Sequence, residues 1–255
     1  MRRQTLCCYV LLVGLIAMVE VSADEKGGKD AKDAKESANQ LLSEALTESS
    51  SAEGLKASLY LVREQIDQTS AHGMFTYVLL VRTLVQHGLN QARDDSVDEY
   101  QRMLLPALYN LSADTWTGWD DANVHADTYQ PHGLEAAELN VRLRDELGLD
   151  HERRSKAYWM LGVHQLAEGD ASGALRSFKT CEALDQQVES PHGTLVSVGW
   201  QHVTAILLGK DESKKLEMIK QQLIEIDDEG VFYAGQFQPA LTRLAPAYAS
   251  NVTNE

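Results

Sequence analysis

Apolar positions in this chain recur at three- and four-residue steps, the spacing of a helix with one buried face. Leu55, Leu59, Val62 and Ile66 form one such stripe and predict a helix over about 54–68. A second helix runs from Gly73 to about His87, with Gly88 in the usual C-cap place. Ser96-Val-Asp-Glu99 has the form of a capping box. Val97, Tyr100, Met103, Leu104 and Leu108 follow it on one face, and Pro106 is placed to kink that helix near its end. Further helices are predicted over about 133–147, 152–168, 171–186, 194–208 and 212–226, with a last one within 232–249. Leu216, Ile219, Leu223 and Ile226 mark the stripe of the penultimate one. No run alternates apolar and polar residues between hairpin turns, so the chain reads as all-α.

One segment breaks the rhythm. Residues 112–132, "SADTWTGWDDANVHADTYQPH", carry no helical stripe, and an irregular loop of that length inside a compact domain is uncommon and often functional. Residues 24–36 alternate charge with Gly and Ala, hold no large apolar side chain, and read as a flexible tether. The remainder, 37–255, is expected to be a single domain of antiparallel helical hairpins, stacked as a superhelix or closed into a compact bundle. His72-Gly73, His132-Gly133 and His192-Gly193 recur at intervals of 60, each ahead of a predicted helix.

The stretch "AYWMLGVHQLAEGDASGALRSFKTCEALD" describes a helical hairpin. Gly162 and Ala174 are small enough for two helices to approach closely. Phe178 fills the space between them, and Cys181 behaves as a small buried hydrophobe. Over about 154–187 it resembles the tetratricopeptide repeat, whose unit of about 34 residues follows Trp-x2-Leu-Gly-x2-Tyr…Ala-x3-Phe…Pro. Tyr158 stands for the opening aromatic, Leu161-Gly162 for the Leu-Gly pair, and Ala174 and Phe178 for the later Ala and Phe. Gln165 replaces the usual Tyr and Gln186 the usual Pro, which marks a divergent repeat. Looser helical pairs fall at about 36–68, 73–110 and 194–226. The resemblance implies a right-handed superhelix whose concave face binds a peptide or a protein partner.

Charge and targeting narrow the partner. Arg2 and Arg3 precede the apolar run "LCCYVLLVGLIAMV", and Val21-Ser22-Ala23 supplies a small-residue cleavage site, so residues 1–23 read as a signal peptide. The protein is therefore expected to be exported, secreted or periplasmic, with no membrane span after cleavage. Cleavage removes Arg2, Arg3 and Glu20 and takes the formal net charge from −15 to −16. Such a charge repels nucleic acid and anionic lipid. Cys181 alone remains of the three cysteines, so no internal disulfide can form and the core must hold the fold. Asn110-Leu-Ser112 and Asn251-Val-Thr253 fit the N-glycosylation pattern.

Signatures of catalysis are missing from the sequence: no His-Glu-x-x-His, no phosphate-cradling glycine loop, no Cys-x-x-Cys, no nucleophile elbow. No cofactor is expected, and the leading function is non-enzymatic protein or peptide binding. The 112–132 segment carries the alternatives. Asp121, Asn123, His125 and Asp127 alternate as the first ligands of a calcium loop do, which opens the possibility of a divalent metal. The pattern then departs, with Ala126 where Gly is needed and His132 where Glu closes the site. With Asp120, Asp121, His125 and Asp127 near its centre, this segment would serve a metal-dependent hydrolase. Trp116, Trp119 and Asp120 would instead offer an aromatic and acidic surface for a partner or a carbohydrate. Protein recovered from the exporting host is expected to begin at Asp24 by N-terminal sequencing; retention of Met1 contradicts the cleavage assignment.

Overall fold

The computed structural model describes residues 40–41, 43–47, 51–92, 96–119 and 126–252. Residues 1–23 and 24–36, and with them the signal peptide and tether, lie outside the described residues. Every element described is helical. Residues 40–41 and 43–47 form a first helical segment. After it come α1 (Ala52–Gln65), α2 (Ala71–Gln91), α3 (Val97–Thr115), α4 (Ala126–Glu146) and α5 (His151–Ala167). Next are α6 (Ala171–Gln187), α7 (Pro191–Leu207), α8 (Ser213–Ile224) and α9 (Asp228–Val252). The all-α class read from the sequence holds, and no strand occurs among the described residues.

Extensive packing is confined to helices one or two apart in the chain, and the α5–α6 hairpin has the most intimate contact of all. The core falls into two clusters. One gathers α1, α2 and α3 around Leu55, Tyr77, Leu84 and Leu104. The other gathers α5 to α9 around Phe178, Trp200 and Phe237. Helix α4 contributes to both, with Ala136 and Leu143 on one side and Ala137 and Val141 on the other.

A single capping device starts five of these helices. Ser51, Ser70 and Ser190 each accept a hydrogen bond through Oγ from the backbone N–H of a glycine three residues on, Gly54, Gly73 and Gly193. Asp170 and Asp227 do the same with a carboxylate for Gly173 and Gly230. Capping explains the acceptor residue; close approach explains the glycine. A Cβ on Gly73 would lie 1.7 Å from the Asp67 carbonyl oxygen, and one on Gly230 would lie 1.8 Å from that of Leu223. Two of the three His-Gly pairs, at 72–73 and 192–193, therefore belong to helix starts. The third, His132-Gly133, lies inside α4, so the spacing of 60 does not mark a repeated unit.

Three boundaries differ from expectation. Gly88 does not cap α2, which continues to Gln91; instead Gly88 admits Leu55 of α1, whose Cδ2 would lie 2.4 Å from an added Cβ. Ser96 sits at the N-cap of α3, yet its side chain makes no capping hydrogen bond to the helix. The irregular segment is shorter than 112–132, because α3 extends to Thr115 and α4 begins at Ala126 rather than near 133. The last turn of α3 buries Ser112 and Thr115, and the first turns of α4 bury Ala126, Gln130 and Gly133. A buried face made of small and polar groups leaves no hydrophobic stripe to read.

Those polar groups form a seam between α3, α4 and α5. The Ser112 hydroxyl bonds the carbonyls of Leu108 at 2.9 Å and Gly133 at 3.1 Å, and Thr115 Oγ1 donates to Leu111 at 2.7 Å. His164 Nε2–H donates to the Ser112 carbonyl at 2.9 Å, and Gln130 Nε2 donates to His164 Nδ1 at 2.8 Å. A carbonyl can only accept, so these partners fix the neutral tautomer with its proton on Nε2. Burial pushes the His164 pKa down to about 4, with the hydrogen bond to Ser112 opposing it. Gly133 completes the crossing: a Cβ there would lie 2.2 Å from Thr115 Oγ1 and 2.3 Å from the His164 ring.

Two stability measurements check this account. Gly73→Ala is expected to lower the unfolding free energy, whereas Gly235→Ala, exposed within α9 with nothing within 4 Å of the added methyl, is expected to raise it by up to ~1 kcal/mol. Equal shifts in both variants contradict the close-approach argument. For His164 the folded state resists protonation that the unfolded state accepts. Stability is thus intact above pH ~6.5 and falls as pH drops toward 4, by about 3 kcal/mol from this residue. Denaturant titrations at both pH values should show a drop smaller by that amount in His164→Gln.

Candidate functional site

On one side of the stack, α3, α5, α6, α7 and α9 enclose an open cavity of about 620 Å³. This is within the range of small-ligand and peptide-anchoring pockets, roughly 300–1,000 Å³. Each helix contributes in turn. Tyr109 and Ala113 come from α3, Trp159 and Ser155 from α5, Cys181 and Asp185 from α6, Val196 from α7, and Tyr233 and Gln236 from α9. Arg63 of α1 reaches one edge, and Trp119 closes the cavity from beyond the end of α3.

The walls are aromatic. Trp119 and Trp159 stand with ring centroids 6.0 Å apart, and Trp159 leans on the buried Trp200 at 6.4 Å. Phe232 and Tyr233 meet edge to face at 5.6 Å; Phe232 is 62% exposed, an unusual state for a phenyl ring. The Trp119 indole N–H donates to the Ala113 carbonyl at 2.8 Å, which ties that wall to the end of α3.

The floor is polar. Ser155 Oγ donates to Asp185 Oδ1 at 2.6 Å, Ser197 Oγ donates to Cys181 Sγ at 2.9 Å, and the Cys181 thiol faces Asp185 Oδ2 at 3.5 Å. Burial and the neighbouring Asp185 charge push the Cys181 thiol up to about 12. Burial also raises the Asp185 carboxyl, while the hydrogen bonds from Ser155, Cys181 and Ser197 pull the other way. At neutral pH the sulfur is a protonated donor to the carboxylate, so the chain Ser197–Cys181–Asp185–Ser155 is internally satisfied.

Two lining residues are not satisfied. Gln236 is 7% exposed and neither its Nε2 nor its Oε1 has a hydrogen-bond partner. Trp159 is 9% exposed and its Nε1–H is likewise unpartnered. A buried polar atom without a partner costs about 1–3 kcal/mol; Trp200 Nε1 in the core and Gln130 Oε1 in the seam share that state, but Gln236 and Trp159 line a cavity where solvent or a ligand can complete them.

The residues singled out by sequence separate. Trp116 is 0% exposed, donates its indole N–H to the Val163 carbonyl at 3.2 Å and stands at 89° to Trp119. It fastens the α3–α4 connection to α5 and presents no free ring face; Trp119 alone reaches the cavity. Asp120, Asp121, Asn123 and His125 lie outside the described residues, and Asp127 is exposed in the first turn of α4. Among the described residues no group of three or more His, Cys, Asp or Glu could hold a metal ion, and no helix is long and apolar enough to cross a membrane.

The repeat-like hairpin packs as its small residues require. Ala174 and Phe178 are fully buried between α5 and α6, and a Cβ on Gly162 would lie 2.5 Å from the Phe178 ring. Leu161 is buried beside them, and Tyr158 turns outward so that its hydroxyl donates to Asp145 at 2.8 Å. Asn110 of the first glycosylation triplet lies within α3, and its Ser112 is buried in the seam. Asp185, Trp159, Tyr109, Tyr233 and Gln236 were not anticipated as a site. Each belongs to an ordinary helical stretch, and no local signal brings residues 109 to 236 together.

No protein-family description, no curated protein and no solved structure matches this chain.

Cys181 supplies a direct check on the floor. At pH 8 about one thiol in ten thousand is ionised for a pKa near 12, so iodoacetamide should leave Cys181 unmodified in the native protein and label it fully in guanidinium. Fast native-state labelling, read by peptide mapping at Cys181, contradicts the hydrogen-bond chain.

Proposed function

We propose that the protein is an exported, non-enzymatic interaction scaffold of tetratricopeptide-like type, and that the cavity between α3, α5, α6, α7 and α9 receives a segment of a peptide or protein partner. The observation that carries this reading is that the unpartnered Gln236 amide and the unpartnered Trp159 N–H line one aromatic cavity open to solvent. A side-chain amide offers a carbonyl and an N–H together, and a peptide backbone offers the same pair in reverse. Trp159 adds a donor for a second backbone carbonyl, while the indole and phenol walls supply contact area at small entropy cost.

Two features of the stack support the scaffold part. Packing passes from each helix to the next one or two, the quasi-linear arrangement of repeat proteins. The best repeat-like hairpin, α5–α6, contributes Trp159, Ser155, Cys181 and Asp185 to the cavity. The fully protonated thiol and the internally bonded carboxylate leave this floor without an activated nucleophile, which favours binding over catalysis.

Panning the mature chain against displayed random dodecapeptides tests the proposal. A shared short motif is expected, and synthetic peptides carrying it should bind the cavity. Trp159→Phe should weaken binding about tenfold, the loss of one hydrogen bond to a buried partner, and Gln236→Ala, which removes two, by more; neither should lower the melting temperature of the free protein by loss of a hydrogen bond. No enriched motif, or unaltered binding by both variants, would refute it.

A further inference from the structure

We infer that the cavity anchors its peptide by a cationic side chain on an apolar stem, a lysine or an arginine, which passes between the aromatic walls and meets Asp185 and Glu229. This inference rests on the peptide reading above and names the residue class that the site selects.

The charges around the cavity make the case. Its lining holds two full cations and three carboxylates: Arg63 and Lys156 against Glu152, Asp185 and Glu229. Both cations are already committed. Arg63 grips Asp114 with two bonds at 3.0 and 3.1 Å, and Tyr77 donates to the same carboxylate at 2.8 Å. Lys156 Nζ bonds Glu152 at 2.8 Å. His192, also in the lining, is held by Asp227 at 3.0 Å. Among the described residues each positive group lining the cavity is thus already paired with a carboxylate, although Lys156 and Glu152 form only an exposed pair.

Two carboxylates, by contrast, have no ion-pair partner within bonding distance among the described residues. Asp185 is buried, and its bonding partners are the neutral Ser155, Cys181 and Ser197 groups; Lys156 acts on it only at a distance. Glu229 accepts only the Tyr233 hydroxyl, at 2.9 Å. The first turn of α7 abuts Asp185, where a Cβ on Gly193 would lie 2.4 Å from the carboxyl carbon. Its backbone dipole helps to hold the negative charge until a ligand arrives. Asp185, buried at the floor and bonded by neutral donors, is screened less than the exposed Glu229 at the cavity's edge and so gains more from an arriving cation.

The walls suit the stem as well as the charge. Tyr109, Trp119, Trp159, Phe232 and Tyr233 present apolar surface to a methylene chain and negative ring faces to its head. An acidic chain of net charge −15 also draws a basic segment toward the cavity before contact.

The test compares two probes that differ only in the charge: acetyl-Ala-Lys-Ala-amide and acetyl-Ala-norleucine-Ala-amide, titrated into the full mature chain at low salt and followed by tryptophan fluorescence. A third probe, n-butylammonium, carries the cation and stem without the amides. The lysine peptide should bind at least tenfold more tightly than either of the others, and raised salt should shrink its advantage. Asp185→Asn and Glu229→Gln should each bring the lysine and norleucine peptides closer together. Circular dichroism confirms that each variant is folded; if Asp185→Asn is not, Glu229→Gln and the wild-type comparison still decide. Equal or tighter binding of the norleucine peptide overturns the cationic anchor and leaves the peptide reading standing. Butylammonium binding as tightly as the lysine peptide shows that the amides are not read, which overturns both. Failure of all three probes to bind also overturns both.

Discussion

The stack depends on one buried polar crossing. Three helices meet at His164, and the groups bonded to it or in closest approach there are not large apolar side chains. Ser112, Thr115, Gln130 and Gly133 occupy it instead, each held by hydrogen bonds or by the absence of a side chain. Such a crossing is stable only while every donor has an acceptor, and it fixes the angle and register of α3 against α5 more narrowly than hydrophobic contact would. Trp116 locks the same junction from outside by its bond to Val163. The cavity walls on α3 and α5, Tyr109 and Ala113 on one and Ser155 and Trp159 on the other, are therefore set in place by a joint that lies behind them.

Five helices share one way of starting close against the chain before them. A cap followed three residues later by glycine lets the new helix begin almost in contact with the preceding turn, as at Gly73 with Asp67 and Gly230 with Leu223. At α7 the same device has a second consequence. Gly193 leaves room for the Asp185 carboxylate, so a capping glycine also shapes the cavity floor. Local chain geometry and the candidate site are in this sense one construction.

The sequence discloses these features unevenly, for physical reasons. Helices that bury Leu, Val and Ile on one side, such as α1 and α8, show themselves by period alone, although α8 stops at Ile224 and leaves Ile226 exposed. The α5–α6 hairpin was legible because close packing demanded Gly162, Ala174 and Phe178 at set intervals. The ends facing each other in α3 and α4 were not, because Ser, Thr, Gln, Gly and Ala bury as well as leucine does once their polar atoms are bonded. Trp116 and Trp119 look equivalent in the sequence, yet one is a fastener and the other a wall. The cavity was invisible for a different reason. Its residues are separated by more than a hundred positions and become neighbours only when the helices stack.

We propose that the unpartnered Trp159 N–H and Gln236 amide are completed by the backbone of a bound chain. The protein contains only four tryptophans, so indole labelling with nitrogen-15 yields one resonance for each of Trp116, Trp119, Trp159 and Trp200. Titration with a bound peptide should move the Trp159 indole N–H furthest downfield as it gains its acceptor. Trp119 should shift less, and Trp116, already bonded to Val163, should stay nearly fixed. A peptide that binds while the Trp159 resonance holds still would contradict the account.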